Sequence, residues 1–155
     1  MENIRRILVI SRMNPYSRKA FHVGVSLARK YDARLHVLHL VANPVDIVAV
    51  NAPGLFPEEY INYMYRQPEA KEQLDKIIKK EIGEGFPIKE MTSDGDPVDE
   101  IVSVVTKEKI DLIIMPAHGE GRLEHALFGG DNDDIIRRMP CSILLVKEES
   151  ETVNW

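Results

Sequence analysis

A five-stranded parallel sheet, doubly wound with helices on both faces, is the α/β fold class that this sequence of 155 residues predicts. Three observations predict it. Five short apolar runs have the length of strands, segments with helical spacing separate them, and the first, Ile7–Ile10, is continuously apolar, as strands covered on both faces are. The order βαβαβαβαβ requires crossover connections and therefore parallel strands. The length suits one domain with its own core. We place that domain at residues 1–147, followed by a polar tail at 148–155 in which Trp155 is the one large apolar residue.

The elements follow in order. Ile7-Leu8-Val9-Ile10 is the first strand. Asn14 caps and Pro15 opens the first helix, along which Ala20, Gly24, Leu27, Ala28 and Tyr31 recur at helical spacing. Gly24 in mid-helix costs about 1 kcal/mol relative to Ala, so close packing on the sheet is the expected reason for it. Leu35–Val41 is the second strand. Its two histidines, His36 and His39, lie an odd number of residues apart and so face opposite sides. They form no metal pair from this strand alone, and packed or surface histidines are the expected reading.

Residues 42–56 read as a loop. The helical pattern from Glu58 is interrupted at Pro68, and its cleaner part, Glu69–Gly83, aligns Leu74, Ile77, Ile78 and Ile82. Pro87–Met91 is the third strand. Asp96-Pro97-Val98-Asp99 is a strong helix start, with a capping carboxylate, proline in the first turn and a further acid where the dipole favours it. Val98, Ile101, Val102 and Val105 form the apolar stripe. Leu112–Met115, a short helix at Asp133–Arg138 and a last strand at Cys141–Val146 complete the series.

Composition narrows the function. The chain is 44% hydrophobic and 29% charged, which a disordered chain is not. Its net charge of −5 disfavours nucleic acid and anionic membrane as partners, since both reward a basic face. Ile7–Ile10 is too short for a signal-peptide core, and no stretch approaches the roughly 20 apolar residues of a membrane span. The single cysteine, Cys141, excludes an internal disulfide and fits a reduced, cytoplasmic setting. In a sheet of this kind ligands bind at the carboxyl ends of the strands, near the point where strand order reverses. That directs attention to Ser11–Tyr16, Val41–Asn43 and Pro116–Asp131.

The last of these segments carries a resemblance. Asp111–Gly119, then Leu127-Phe128-Gly129-Gly130, then Ile135–Val146 resemble the carboxyl-terminal signature of the universal stress protein family. Ile7-Leu8-Val9 with Pro15-Tyr16-Ser17, Leu35–His39 with Val41, and Gly95-Asp96-Pro97 extend the likeness along the chain. The resemblance implies an adenine-nucleotide alpha-hydrolase-like topology and, in nucleotide-binding members, a loop of spaced glycines ending in Gly-Ser or Gly-Thr. Such glycines let backbone N–H groups approach phosphates, beside a helix N-terminus that favours anions.

This sequence keeps Gly119 and Gly129 at the family's spacing and departs from it in three places. Pro116 replaces the first glycine and lacks an N–H. Gly130 stands where the hydroxyl would be, and Arg12 replaces the usual Asp after the first strand. Asp131, Asn132, Asp133 and Asp134 follow; acids there cap a helix, and without Mg²⁺ they repel a triphosphate. By this resemblance the candidate binding residues are Ser11, Arg12, Val41, Met115, Gly119, Gly129, Gly130 and Asp131. Arg122 and His125 read as solvated loop residues.

The expected function is a binding module with a stress-response role, not an enzyme, with ATP binding weakened or lost. No nucleophile, base and orienting group fall into an evident set, for His118 and His125 lack a sequence-evident carboxylate partner. The alternative keeps ATP or AMP through the backbone amides of Gly119–Gly130. Slow hydrolysis with Mg²⁺ on Asp131–Asp134 rests on fold analogy alone and is the weakest reading. A homodimer through the last strand is expected, since Ile143–Val146 is hazardous as an open edge.

Overall fold

Each apolar run becomes a strand, and alternate side chains along it serve two different cores. The computed structural model describes residues 3–12, 17–41, 71–117 and 131–147. In chain order these form β1 (Arg6–Ser11), α1 (Ser17–Tyr31), β2 (Arg34–Leu40), α2 (residues 71–83) and β3 (Ile88–Ser93). Then come α3 (Pro97–Glu108), β4 (Leu112–Pro116), α4 (Asp131–Arg138) and β5 (Ser142–Val146). The strands lie in the order β3-β2-β1-β4-β5, every pairing parallel. Residues 42–56, the glycine segment from His118 to Gly130 and the tail lie outside the described residues.

Ile7 and Val9, Leu35 and Val37, and Leu112 and Ile114 point to the face covered by α1 and α2, where Phe21, Ala28, Leu74 and Ile78 close the core. Leu8 and Ile10, Leu38 and Leu40, and Ile113 and Met115 point to the other face, under Val98, Ile101, Val104, Val105 and Ile135. The strand period of two is thus filled on both sides of the central strands, which is why β1 and β4 are continuously apolar in their interiors. Asp111, just before β4, ties the amino ends of the two central strands. Its Oδ2 accepts from the backbone N–H of both Arg5 and Arg6 at 2.9 Å, and its own N–H donates to Arg6 O.

The helices differ from the sequence reading in detail. In α1 the largest buried side chain is Phe21, while Tyr31, the last residue of the helix, is half exposed and lines a cavity with Arg5, Arg6 and Arg34. In α2 Leu74 and Ile78 are buried but Ile82 is exposed. In α3 Val104 rather than Val102 completes the stripe, because the helix settles with the 98, 101, 105 line central and 104 beside it. Its start is as expected. Asp96 Oδ1 accepts from the N–H of Asp99 at 3.0 Å, and proline occupies the first turn. The last helix begins at Asp131, two residues before the expected start, and the last strand begins at Ser142, since Pro140 and Cys141 still belong to the bend.

His36 and His39 fall on opposite faces, as the odd spacing requires. His36 is buried on the α3 side with Nε2 3.4 Å from Glu108 Oε2, while Glu108 Oε1 accepts from Lys89 Nζ at 2.6 Å. Burial lowers the His36 pKa, and the opposing pull of the Glu108 carboxylate is the smaller effect. The Lys89 hydrogen bond in turn holds the Glu108 carboxyl low.

Two outcomes follow from this packing. A Cβ on Gly24 would sit 2.4 Å from Val9 Cγ2 and 3.3 Å from Leu35 Cδ1, both in the closed core. The valine side chain is stiff at χ1 and cannot swing aside freely. Gly24→Ala gains about 1 kcal/mol of helix propensity and loses about 1–3 kcal/mol to overpacking, so the variant is expected to be less stable in urea denaturation. In a Val9→Ala background the penalty should shrink, and a penalty that stays the same would refute the contact as its cause. For His36, the folded protein prefers the neutral ring, so the unfolded chain binds the proton more readily. Its stabilising contribution is complete above its ordinary pKa of 6.5 and is lost as pH falls below that value. Unfolding free energies measured from pH 7 down to pH 5 should decline, and should decline less steeply in His36→Gln.

Candidate functional site

The strand order reverses between β1 and β4, and there the sheet opens. Their pairing runs from Ile7 with Leu112 only as far as Val9 with Ile114. Beyond it β1 stays with β2 up to Ser11 and His39, while β4 stays with β5 up to Pro116 and Val146. The two carboxyl ends part, and the crevice between them is where an open α/β sheet receives a ligand.

Arg12 lies at this point, one residue past β1, and is only 3% exposed. Its Nη2 donates to Oδ1 of Asn132, in the first turn of α4, at 3.0 Å. Asn132, itself 6% exposed, donates from Nδ2 to the carbonyl of Pro116 at 3.3 Å. A chain of side chains therefore runs from the end of β1 to the start of α4 and back to the end of β4. The amide of Asn132 suits that place because it accepts from the guanidinium and donates to the carbonyl at once, which a carboxylate does not do. Neighbouring Asp133 and Asp134 point to solvent, where acids in a first helical turn complement the dipole.

The backbone donors at these strand ends are also engaged. The N–H of Arg12 donates to Ser17 Oγ at 3.0 Å, at the start of α1, and Ser17 is fully buried. The N–H of Ala117 donates to Val146 O at 2.8 Å, and that of Val41 to Ser93 O at 2.9 Å. Of the candidate binding residues, Ser11, Arg12 and Met115 come together at the crevice and are buried, and Val41 is half buried at the end of β2. Gly119, Gly129 and Gly130 lie outside the described residues, as do His118, Arg122, His125 and the side chain of Asp131.

Sequence reasoning singled out Arg12 but missed Ser17 and Asn132 as its partners. One signal was available for Asn132. It is the one uncharged member of an acidic run, and it lies three residues before Ile135, on the side of α4 that faces the sheet.

Two other features have plainer roles. A cavity of about 400 Å³ lies at the opposite end of the sheet, lined by Arg5, Arg6, Tyr31, Asp32 and Arg34. Its cations stand at the carboxyl end of α1, where the dipole favours them. The thiol of Cys141 is pushed up to about 11 by burial, so at neutral pH it stays protonated and is a poor nucleophile. Among the described residues no helix is long and apolar enough to cross a membrane.

Comparison with known proteins places this geometry. The model of the universal stress protein family matches residues 3–147. The universal stress protein MJ0531 of Methanocaldococcus jannaschii is 28% identical over 148 residues, covering 95% of this chain and 85% of its own length. Among solved structures, the universal stress protein UspA from Lactobacillus plantarum superposes with a TM-score of 0.63 at 19% identity, over 94% of this chain and 99% of that one. A universal stress protein in complex with cAMP does so with a TM-score of 0.59 at 19% identity, over 96% of this chain and all of the other.

Proposed function

The chain belongs to the universal stress protein family, and from that premise we propose that it is a dimeric binding module of a stress response in which adenine-nucleotide binding is weakened or lost. The observation that carries this reading is the buried Arg12–Asn132 hydrogen bond across the switch-point crevice. A nucleotide entering there must displace a guanidinium from its acceptor or fit beside it. Uncovering a buried, charge-assisted hydrogen bond costs about 1.5–3 kcal/mol, which is roughly a tenfold to hundredfold loss of affinity. Pro116 removes a further donor, since proline has no N–H, and its carbonyl already accepts from Asn132. Binding rather than turnover is the role we assign, for the groups brought together at the crevice hold one another in place.

A second reading keeps an adenine nucleotide through the amides of Gly119, Gly129 and Gly130. The cAMP complex of a structural neighbour favours it. Backbone contacts of that kind survive side-chain substitution.

Titration calorimetry with ATP, AMP and cAMP separates the two. The first reading expects dissociation constants weaker than millimolar for the native chain. It also expects a gain of tenfold or more when Arg12→Asp, Pro116→Gly and Gly130→Ser are combined, on the order of the hydrogen bonds exchanged. Tight binding by the native chain would establish the second reading, and a triple variant with no gain would show that these three positions are not the cause.

For the dimer, β5 supplies the argument. It is an edge strand on which Leu144 and Leu145 are 36% and 46% exposed, with Met139 just before it at 56%. Pairing with a second copy would cover all three. Light scattering should give twice the chain mass at micromolar concentration, and Leu145→Lys should shift it to the monomer. A native chain that is monomeric would remove this part of the proposal.

A further inference from the structure

A second cluster lies on the other half of the sheet. On the α1/α2 face, at the β3 edge, His39 of β2, Glu90 of β3 and Asp75 of α2 bring one nitrogen and two carboxylate oxygens within 4.8 Å of one another. It is the one such group among the described residues. Three separate elements supply it, and the register explains why. Glu90 pairs with Val37 and Thr92 with His39, so Glu90 sits diagonally beside His39 on the same face. Leu74 and Ile78 anchor α2 in the core beneath, which brings Asp75 over the edge of the sheet.

The charges in this cluster do not balance by themselves. His39 Nε2 lies 3.2 Å from Glu90 Oε1, and among the described residues no Lys or Arg side chain pairs with either Glu90 or Asp75. Two carboxylates therefore face one imidazole whose side chain is 6% exposed. A divalent cation would neutralise both and take the imidazole nitrogen as a third ligand. The spacing suits one. Tetrahedral zinc, with bonds of about 2.0–2.1 Å, places its ligand atoms about 3.3 Å apart, close to the observed separation of His39 and Glu90. Closing the third contact requires a shift of at most about 1.5 Å at the end of the Asp75 side chain.

We propose that His39, Asp75 and Glu90 form a binding site for a first-row divalent transition metal that clamps α2 onto the β2–β3 edge. The nitrogen ligand favours zinc or cobalt over magnesium, which takes oxygen ligands and keeps its waters. Three protein ligands leave the remaining coordination to water. The site lies apart from the β1–β4 crevice, so it stands or falls independently of nucleotide binding there. The expectation that His39 is merely a packed histidine came from β2 alone; its two partners belong to elements far away in sequence.

Zinc titration of the purified full chain, followed by calorimetry and by thermal unfolding, tests the proposal. One zinc per chain is expected, with the unfolding midpoint raised by roughly 5–10 °C at a hundredfold excess over the dissociation constant. Magnesium at the same concentration should give no shift. Cobalt should give the visible absorption of a low-symmetry site. Glu90→Gln and Asp75→Asn are at or near the surface and leave the core intact. Each should weaken zinc binding by roughly tenfold or more while the metal-free midpoint changes little. His39→Gln is the third variant, and because His39 is buried its metal-free stability is measured alongside. Zinc bound with unchanged affinity by the Asp75→Asn/Glu90→Gln double variant would place the ion elsewhere and overturn the proposal. Failure of the native chain to bind zinc below millimolar concentration would do the same.

Discussion

The guanidinium of a residue that is 3% exposed has to be held by oxygen acceptors, because stripping water from a charge costs several kcal/mol. Arg12 sits at the one place in the sheet where neighbouring strands diverge, and its requirement organises what surrounds it. Asn132 must turn inward from the first turn of α4 to accept the Nη2 donor, and that fixes the rotation of the helix. With Asn132 facing the crevice, Ile135 falls one turn later onto the core, and Asp133 and Asp134 face water. The second bond, from Asn132 to Pro116 O, ties the start of α4 to the end of β4, the strand immediately before it in sequence order. The buried arginine thereby couples the first strand of the fold to its last helix.

The close approach of α1 to the sheet is the complementary constraint. Gly24 lets the helix lie against Val9 and Leu35, in the middle of β1 and β2. Ser17, at the start of the same helix, then comes within 3.0 Å of the Arg12 N–H. A helix standing farther from the sheet would take Ser17 with it and leave that N–H to find another acceptor. Packing in mid-helix and hydrogen bonding at the crevice are two consequences of one helix position, which links a glycine in the core to the geometry of the site.

Much of this was legible in the sequence, and what was not had a common cause. The central strands β1 and β4 were legible because burial on both faces demands unbroken apolar runs, and the start of α3 because Asp96-Pro97 satisfies the helix locally. Errors occurred where a helix chooses its rotation by tertiary packing. Val104 replaces Val102, Ile82 and Tyr31 turn out to be exposed, and α4 starts two residues early. The departure at Arg12 was visible as a residue, but its partner lies 120 positions away and depends on which strands part. His39 is the same case. Its spacing from His36 assigned it to a face, but only the β2–β3 register and the seat of α2 bring Glu90 and Asp75 to it. Spacing within one element sets direction, and contacts between elements are set by register, which the local pattern does not encode.

The two edges of the sheet are finished differently, and the difference bears on what each is for. β3 reads Ile-Lys-Glu-Met-Thr-Ser, and charged side chains on such an edge discourage pairing with another chain. β5 reads Ser-Ile-Leu-Leu-Val and exposes leucines on both faces, Leu144 towards the α1 side and Leu145 towards the α4 side. An edge left apolar on both faces gains nothing from solvent and would promote unselective aggregation if it stayed open. In the proposed dimer a second copy of the chain brings an edge with the same apolar residues, so self-pairing there would satisfy both faces together. The polar β3 edge, protected from such pairing, is free to carry the His39, Asp75 and Glu90 cluster. The proposed dimer contact and the proposed ion site would thus lie on opposite edges of the sheet, the apolar β5 edge and the charged β3 edge, with the Arg12 crevice between the two.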